Sequence, residues 1–430
     1  MKKYTFIALF IIVNSISAQE KWTLQQCLDY ATQHSPDVQQ SLLEVNKNIR
    51  EKNKVKGQLL PSVNAGVGHS YSFGSTINPT NNARESLNVQ YDQFYAQANV
   101  DVFNWKNYLN IGLSQLNKES AEYRAQAAQN NIKLSIINLF FQYQKSKSWL
   151  EVLVPQVDGM KEQIKRTEKE VEIGNRAKSD IYDIKANFGT IQEQWISAQN
   201  DVSIAKINLL SALNINKDTI DFVPQDKEIG NADFLSNEEL VERLVRNNPI
   251  FKESLKENAV AEQRIKIAKS DYLPTLSGQY QWSTFYSKVL NDHSGVNFSN
   301  QFSQNKNQQV YFGLTIPVFQ QFQVKNNVEL AKLDQLNTNL SNQKKLTDLY
   351  KTLYIIVEQY SNAAEKNKLL NENFDNQRLS FERSEEKYKE GLIDAYNFFV
   401  VRNNWLQANY NLINSQYDVM QQKALLQVFE

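Results

Sequence analysis

The chain of 430 residues has few of the residues that interrupt helices. It contains 13 Gly and 8 Pro, whereas Asn, Gln, Ala, Leu, Lys and Glu fill long stretches between them. Between Pro317 and Gly391 neither residue occurs. A helix of that length would extend for about 105 Å at ~1.5 Å per residue. The composition therefore predicts long helices and excludes a series of small, loop-rich domains.

The chain also lacks an excess of charge and the residues of common catalytic and metal sites. Lys plus Arg number 47, as do Asp plus Glu, so bulk charge indicates no nucleic-acid partner. Cys27 is the single cysteine, and we expect it to be a buried structural thiol. His34, His69 and His293 are isolated, and no HExxH or CxxC motif is present. We therefore predict no catalytic residue, no cofactor, no metal site and no enzymatic activity.

Long apolar runs are absent as well. Residues 1–18 predict a secretory signal peptide, because Met1-Lys2-Lys3 precede a short apolar segment and a small-residue stretch that ends at Ala18. The apolar segment of about ten residues is too short to span a ~30 Å bilayer as a helix. The remaining sequence has no apolar stretch of 18 residues. An exported chain of this kind is either soluble or crosses a membrane as strands.

What the sequence does contain is a duplication. Pro36 and Pro61 are 25 residues apart, as are Pro249 and Pro274. The sequence therefore predicts a first structural repeat over 19–213, a linker over 214–235 and a second repeat over 236–430. Each repeat is expected to contain a helix, two strands and a long helical hairpin. A capping box starting at Thr23 is predicted to begin the first helix, and a kink is expected near Pro155 in the first long helix.

Four segments alternate large residues with small or polar ones, which is the period of a strand. The strands are predicted at about 62–74, 87–103, 275–287 and 308–319, with polar loops between the members of each pair. A lone hairpin is marginally stable in water. Aromatic residues near the strand ends are expected to lie at the membrane interfaces, as in outer-membrane strands; these are Tyr71, Phe73, Phe103, Trp105, Trp282, Tyr286 and Phe319.

The number of strands predicts the assembly. Four strands cannot close a barrel, and open strand edges are excluded from lipid. Two chains would give eight strands, whose interior is filled by side chains, whereas three would give twelve and leave a pore. We therefore predict a mainly α protein with a small β part, whose homotrimer forms a 12-stranded β-barrel and a 12-helix α-barrel tunnel.

Three features resemble the TolC-like outer membrane efflux protein family over about residues 20 to 430. They are the duplicated helix–hairpin–long-helix plan, the Leu-Pro turn before each first strand, and the glycine at each distal helical turn. The resemblance implies an outer-membrane channel of a tripartite efflux or type I export system in a Gram-negative bacterium, with a long periplasmic extension. It also implies outer-membrane lipid, a periplasmic adaptor (a membrane fusion protein) and an inner-membrane RND or ABC pump as partners.

The resemblance further assigns roles to the two helical turns at the periplasmic end. The residues expected to contact the adaptor are Gly174, Asn175, Arg176, Gly391, Leu392 and Ile393. Asp180 and Tyr388 fall where the family places a gate pair, and the resemblance leads us to expect a hydrogen bond between them in the closed gate. Asp183 is a second acidic candidate. Asn397 and Val400 stand where some members carry aspartates that ring the constriction. The structural alternative for Asp180 is an N-cap of the returning helix.

Two other classes of protein are weighed against the channel. A soluble periplasmic coiled-coil protein would be found free of the outer membrane and would need no detergent. A passive porin would consist mostly of strands, and the predicted long helices disfavour this alternative. The sequence leaves open whether the cargo is a drug, a metal, a dye or a polypeptide.

Overall fold

The computed structural model describes residues 20–78, 81–216, 220–223, 237–290 and 297–430. The predicted signal peptide, part of the predicted linker and His293 lie outside the described residues. The helices are α1 (Leu24–His34), α2 (Pro36–Gly57), α3 (Trp105–Glu172), α4 (Lys178–Ala212), α5 (Asn237–Asn247), α6 (Pro249–Ser270), α7 (Phe298–Gln304), α8 (Gln323–Lys389) and α9 (Ala395–Gln427). The strands are β1 (Glu20–Trp22), β2 (Ser62–Ser72), β3 (Ser75–Ile77), β4 (Arg84–Ser86), β5 (Val89–Phe103), β6 (Ile220–Phe222), β7 (Thr275–Val289) and β8 (Asn307–Thr315).

Local signals in the sequence set several helix boundaries. The predicted capping box is confirmed, since Thr23 accepts from the Gln26 N–H and the Gln26 side chain accepts from the Thr23 N–H at 2.8 Å. Pro36 and Pro249 each occupy the first position of a helix, where the missing N–H has no helical partner to lose. α3 runs through Pro155 as one helix of 68 residues. None of the described helices is both long and apolar enough to cross a membrane.

The described residues fold as two compact units, and α2, α3 and α8 contribute residues to both. The first unit comprises the described residues within 1–40, 126–248 and 349–430. It contains a parallel pair of strands, β1 with β6. β6 lies in the segment predicted to be a linker, and its Ile220 and Phe222 are buried. Phe222 packs against Phe140 and Tyr143, so this part of the predicted linker belongs to a core.

The second unit consists of residues 41–125 and 249–348. Its main feature is an antiparallel sheet with the strand order β2-β5-β7-β8. The two repeats meet at the centre of the sheet, where β5 pairs with β7 from Val89–Val289 to Phe103–Leu276. β8 ends at Thr315, earlier than the predicted limit of 319, because Pro317 has no N–H to donate to a ladder.

The two faces of this sheet differ in chemistry. Register pairs place Val67 beside Phe94, and Tyr280 beside Val310, on one face. The same register places Asn64 beside Gln97 on the other face. The apolar face includes Val63, Val67, Phe94, Trp282, Tyr280, Val310, Phe312 and Leu314, and the polar face includes Asn64, Gln93, Gln97, Gln279, Gln281 and Gln309. The strand alternation thus produces a two-faced sheet.

Both segments predicted as polar loops contain short regular elements. β3 and β4 form a small antiparallel hairpin after Gly74, whose φ is 101°. The segment between β7 and β8 contains α7, which packs against β7 through Phe298 and Phe302. Elements of three to seven residues are too short to show a clear hydrophobic period. The prediction of plain loops was wrong for this reason.

Candidate functional site at the two helical turns

The two distal turns of the helical hairpins, both in the first unit, have the same backbone construction. Gly174 and Gly391 have φ angles of 79° and 74°. In each turn the glycine N–H bonds to the carbonyl three residues earlier, and the N–H of Asn175 or Leu392 bonds to the carbonyl five residues earlier at 2.8 Å. This is the Schellman motif, in which a left-handed residue ends the helix. Glycine fits because a Cβ atom disfavours that conformation.

Arg176 links the first turn to the end of α8. Its Nη2 donates to the Tyr388 carbonyl at 3.0 Å, and its guanidinium lies 4.3 Å from the centre of the Tyr388 ring. Its Nε is 2.6 Å from Glu170 Oε2, and its Nη1 is 3.6 Å from Asp180 Oδ2. The side chain is only 15% exposed. Arg176 therefore holds two acidic groups of its own hairpin and the backbone of the other hairpin together.

Asp180 and Tyr388 lie close to Arg176, but they do not form the expected hydrogen bond with each other. Asp180 faces Arg176, whereas the buried Tyr388 hydroxyl makes no bond to Asp180 and has the Thr167 side chain beside it. The Tyr388 ring instead contacts the Arg176 guanidinium and stacks on Phe398. Burial raises the pKa of Tyr388, although the charge of Arg176 and the side chain of Thr167 oppose the shift. The predicted Asp180–Tyr388 contact is corrected to one mediated by Arg176.

The N-cap alternative for Asp180 is also corrected. α4 begins at Lys178, and its N-cap is Ala177, which makes no side-chain capping bond. Asp180 is a residue of the first helical turn, where a carboxylate is favourable near the N-terminal end of the helix dipole. Asp183 is exposed, and within the described residues it forms no ion pair. In the second turn, by contrast, Asp394 is a true N-cap that accepts from the Asn397 N–H at 2.8 Å.

Glu170 has two cationic partners. Arg166 Nε donates to Glu170 Oε1 at 2.9 Å, and Arg176 contacts the other carboxylate oxygen. Burial by itself raises the pKa of Glu170, but the hydrogen bond from Arg166 and the charge of Arg176 together lower it. Glu170 therefore stays ionised at neutral pH and anchors Arg176.

A row of aromatic rings continues from Arg176 into the first unit. Tyr388 stacks on Phe398 at 4.6 Å with an angle of 8° between the rings. Phe398 lies 6.0 Å from Phe381, which in turn stacks on Trp405 at 4.6 Å. We refer to Tyr388, Phe398, Phe381 and Trp405 as the aromatic row. Stacked pairs of this kind contribute about 0.5–1.5 kcal/mol each beyond their buried area.

Arg402 is a second buried cation near the aromatic row. Its Nη2 donates to Gln156 Oε1 at 2.9 Å, while its Nη1 is buried and has no partner. Within the described residues Arg402 forms no ion pair. Burial lowers the pKa of Arg402 to about 10, against the opposing charge of Glu385. Sequence reasoning did not single out this residue, because an arginine within a helix gives no sign of its burial.

A cavity of about 240 Å³ lies beside the Arg176–Tyr388 contact. Its lining is mostly charged and consists of Gly159, Glu162, Gln163, Arg166, Thr167, Glu170, Arg176, Glu385, Tyr388 and Lys389. Of the predicted adaptor contacts, Asn175 and Leu392 are exposed, whereas Ile393 packs against the apolar cluster that contains Tyr388 and Phe398. The two turns thus have exposed residues, Asn175 and Leu392, beside the buried and charged contacts of Arg176.

The predicted interface aromatics fall into two groups. Tyr71, Phe73, Phe103, Trp105 and Phe319 are exposed. Trp282 and Tyr286 are partly covered, because Phe302 lies 6.1 Å from Trp282 and Phe298 lies 5.4 Å from Tyr286. The structure therefore places α7 over two of the residues that were expected to be open at an interface.

Comparisons with known proteins agree with this architecture. The chain is 21% identical to the outer membrane protein TolC of Escherichia coli (strain K12) over 349 residues, which cover 77% of this chain and 66% of TolC. The chain spans 55% to 66% of the length of the curated TolC relatives that it matches.

Two solved structures share the fold at low sequence identity. The crystal structure of CusC has a TM-score of 0.80 at 13% identity and covers 94% of this chain and 91% of CusC. The Campylobacter jejuni CmeC outer membrane channel has a TM-score of 0.77 at 16% identity and covers 94% and 85% of the two chains. At such identities the likeness shows the fold alone.

The duplication seen in the sequence is also present in the family match. The model described as outer membrane efflux protein matches residues 27–214 and again residues 240–428. The two matches contain the two glycine turns, Gly174 and Gly391, at corresponding places. With both repeats matched over most of its length, the chain belongs to the outer membrane efflux protein family.

Proposed function

We propose that this chain forms, as a homotrimer, the outer-membrane channel of a tripartite efflux or type I export system. The trimer has a 12-stranded β-barrel in the outer membrane and a 12-helix α-barrel tunnel in the periplasm. It conducts substrates passively from a periplasmic adaptor and an inner-membrane RND or ABC pump to the exterior. As a member of its family, the chain is located in the outer membrane.

The observation that carries the proposal is the exposed apolar face of the four-stranded sheet. Val67 is 72% exposed and Phe312 is 66% exposed, and several other large apolar side chains of that face are exposed in the same way. A soluble antiparallel sheet packs its apolar face on a core. Contiguous exposed apolar surface indicates a membrane or protein partner. Contact of the apolar face with lipid and of the polar face with water matches the chemistry of each face.

The edges of the sheet support the trimer. β2 and β8 are the outer strands, and each has one side without a strand partner in the described structure. Because lipid excludes open edges, β8 of one protomer must pair with β2 of another. Three copies then supply twelve strands, which form a barrel wide enough to leave a pore.

The helical turns support control of the tunnel at its periplasmic end. The contacts of Arg176 hold the two hairpins of one protomer together, and exposed Asn175 and Leu392 are available to an adaptor. We assign the gate to Arg176 with Asp180 and Tyr388, while exposed Asp183 contributes charge to the surface. Gly174 and Gly391 shape the turns, and Ile393 supports the second one from inside.

The proposal is tested by isolating the full chain from outer membranes in detergent and reconstituting it in planar bilayers. We expect an SDS-resistant species of three chain masses and discrete single-channel conductance. A chain recovered without detergent from the soluble periplasm, as a monomer or dimer with no conductance, would contradict the proposal. That result would favour the soluble coiled-coil alternative.

A further inference from the structure

Within the described residues, the upper end of β7, from Thr284 to Val289, pairs with a strand on one side only. β5 pairs with β7 along its whole length, up to Val89 beside Val289. Among the described residues, β8 pairs with β7 only from Thr275 to Ser283, where Asn307 is its first residue. The backbone groups of Phe285 and Ser287 on that side therefore need partners other than β8.

α7 and its C-cap residue Asn305 supply such partners with amide side chains. Gln301 Oε1 accepts from the Ser287 N–H at 3.0 Å, and Gln301 Nε2 donates to the Ser287 carbonyl at 2.9 Å. Asn305 Nδ2 donates to the Phe285 carbonyl at 2.9 Å. An antiparallel strand makes the same two-bond exchange with a residue opposite it. The amides of α7 thus continue the ladder where β8 has not yet begun.

Apolar contacts fix α7 in this position. Phe302 lies 5.3 Å from Phe94 and contacts Trp282, while Phe298 contacts Tyr286. These partners lie on the apolar face of the sheet. In addition, Thr284 Oγ1 donates to the Phe302 carbonyl at 2.8 Å, and Thr284 is 1% exposed. α7 is therefore attached both to the edge of β7 and to the face beside it.

The opposite edge of the sheet indicates what lies against α7. β2 has 11 residues and β8 has nine. If β2 of another copy pairs with β8 from the end of the sheet that holds Ser62 and Thr315, this β2 extends past Asn307, the first residue of β8. Tyr71 near the end of β2 and Phe73 just after β2 are 51% and 72% exposed. In the register of the sheet Tyr71 lies level with Gln90 and Lys288, next to the Ser287 that α7 bonds.

We propose that α7 is a strand substitute that completes the wall of the sheet above β8, and that its partner is β2 of a second copy of this chain. The second part rests on the proposed trimer. Gln301 and Asn305 keep the edge of β7 hydrogen-bonded beyond the first residue of β8. The neighbouring β2 then meets β8 below and α7 above.

Hydrogen–deuterium exchange with residue resolution, on the full chain in detergent micelles, tests the first part. In the native protein we expect the Ser287 amide to be as protected as the amides of β7 that face β8. Gln301→Met removes both bonds and should speed exchange at Ser287 about tenfold, as expected for the loss of roughly one hydrogen bond. Gln304→Met, on the same helix, is the matched control. A native Ser287 amide that exchanges as fast as exposed amides would overturn the strand substitute.

Thermal dissociation of the SDS-resistant trimer tests the second part. We expect Gln301→Met to lower the dissociation temperature and Gln304→Met to leave it unchanged. If Ser287 protection is lost in Gln301→Met while the dissociation temperature stays the same, the second copy is not the partner. If the native chain forms no trimer at all, the proposed function fails, and the exchange result still decides the role of α7.

Discussion

At the scale of single residues, Arg176 organises the contact between the two helical turns. It contacts Glu170, Asp180 and both the carbonyl and the ring of Tyr388. The sequence suggested an acidic–tyrosine pair and treated Arg176 only as an adaptor contact. The link was not visible in the sequence because Arg176 and Tyr388 are 212 residues apart. Which cation faces which ring depends on how the two hairpins pack.

Replacing Arg176 is expected to favour the open channel. Arg176→Leu removes the bond to the Tyr388 carbonyl and the contacts with Glu170 and Asp180. A loss of about 1.4 kcal/mol from the closed arrangement corresponds to a tenfold change in the ratio of closed to open states. We therefore expect a markedly higher single-channel open probability in planar bilayers.

Arg378→Leu is the matched control for that experiment. Arg378 bonds to Asp375 and Glu382 within its own helix, at the surface, so its loss should leave the open probability unchanged. Equal open probability for the native chain and Arg176→Leu would show that Arg176 does not hold the gate.

At the scale of elements, helix ends were more predictable than short inserted elements. Gly174, Gly391 and the capping box at Thr23 lie where the sequence placed them, because each carries a local conformational requirement. α7 and β6 were missed because their stability comes from packing. Phe302 and Phe222 become informative only when the surfaces that they bury against are known.

Gly391 and Gly159 allow the effect of backbone conformation to be separated from the effect of steric space. A Cβ built at Gly391 or at Gly159 meets no atom within 4 Å, but only Gly391 has a positive φ of 74°. Gly391→Ala should therefore lower the free energy of unfolding of the tip by about 1–2 kcal/mol. Gly159→Ala, inside α3, should raise it by about 0.5–1 kcal/mol.

Local hydrogen exchange at the turn, together with thermal unfolding, measures both effects. Each variant serves as the control for the other, because neither substitution introduces a steric contact. A Gly391→Ala variant as stable as Gly159→Ala would mean that the left-handed conformation carries no cost at this turn.

At the scale of the whole molecule, the sheet determines where the chain can reside. Strand alternation predicted two chemically different faces, and the register places Val67 beside Phe94 on one face and Asn64 beside Gln97 on the other. The exposure of the apolar face could not be predicted from alternation alone. A core layer over Phe312 would have produced the same sequence pattern.

Spin labels on neighbouring positions of β8 test this arrangement. Labels at Val310→Cys and Phe312→Cys should be more accessible to oxygen than to a water-soluble nickel complex in reconstituted membranes. Labels at Gln309→Cys and Tyr311→Cys, on the polar face, should show the reverse. Cys27 is buried, and burial raises its pKa to about 12, so it should not react with the label at neutral pH. Absence of alternation along β8 would contradict a membrane-spanning sheet.

The sequence by itself determined the duplication, the long helices, the four main strands and the glycine ends of the hairpins. These features depend on local conformational preferences and on periodicity, which neighbouring residues fix. The tertiary structure decided that Arg176 joins the two hairpins, that Arg402 is buried with no ion pair among the described residues, and that Gln301 of α7 continues the ladder of β7. Such contacts join residues that are distant in the chain, so they depend on packing geometry, which local patterns do not specify.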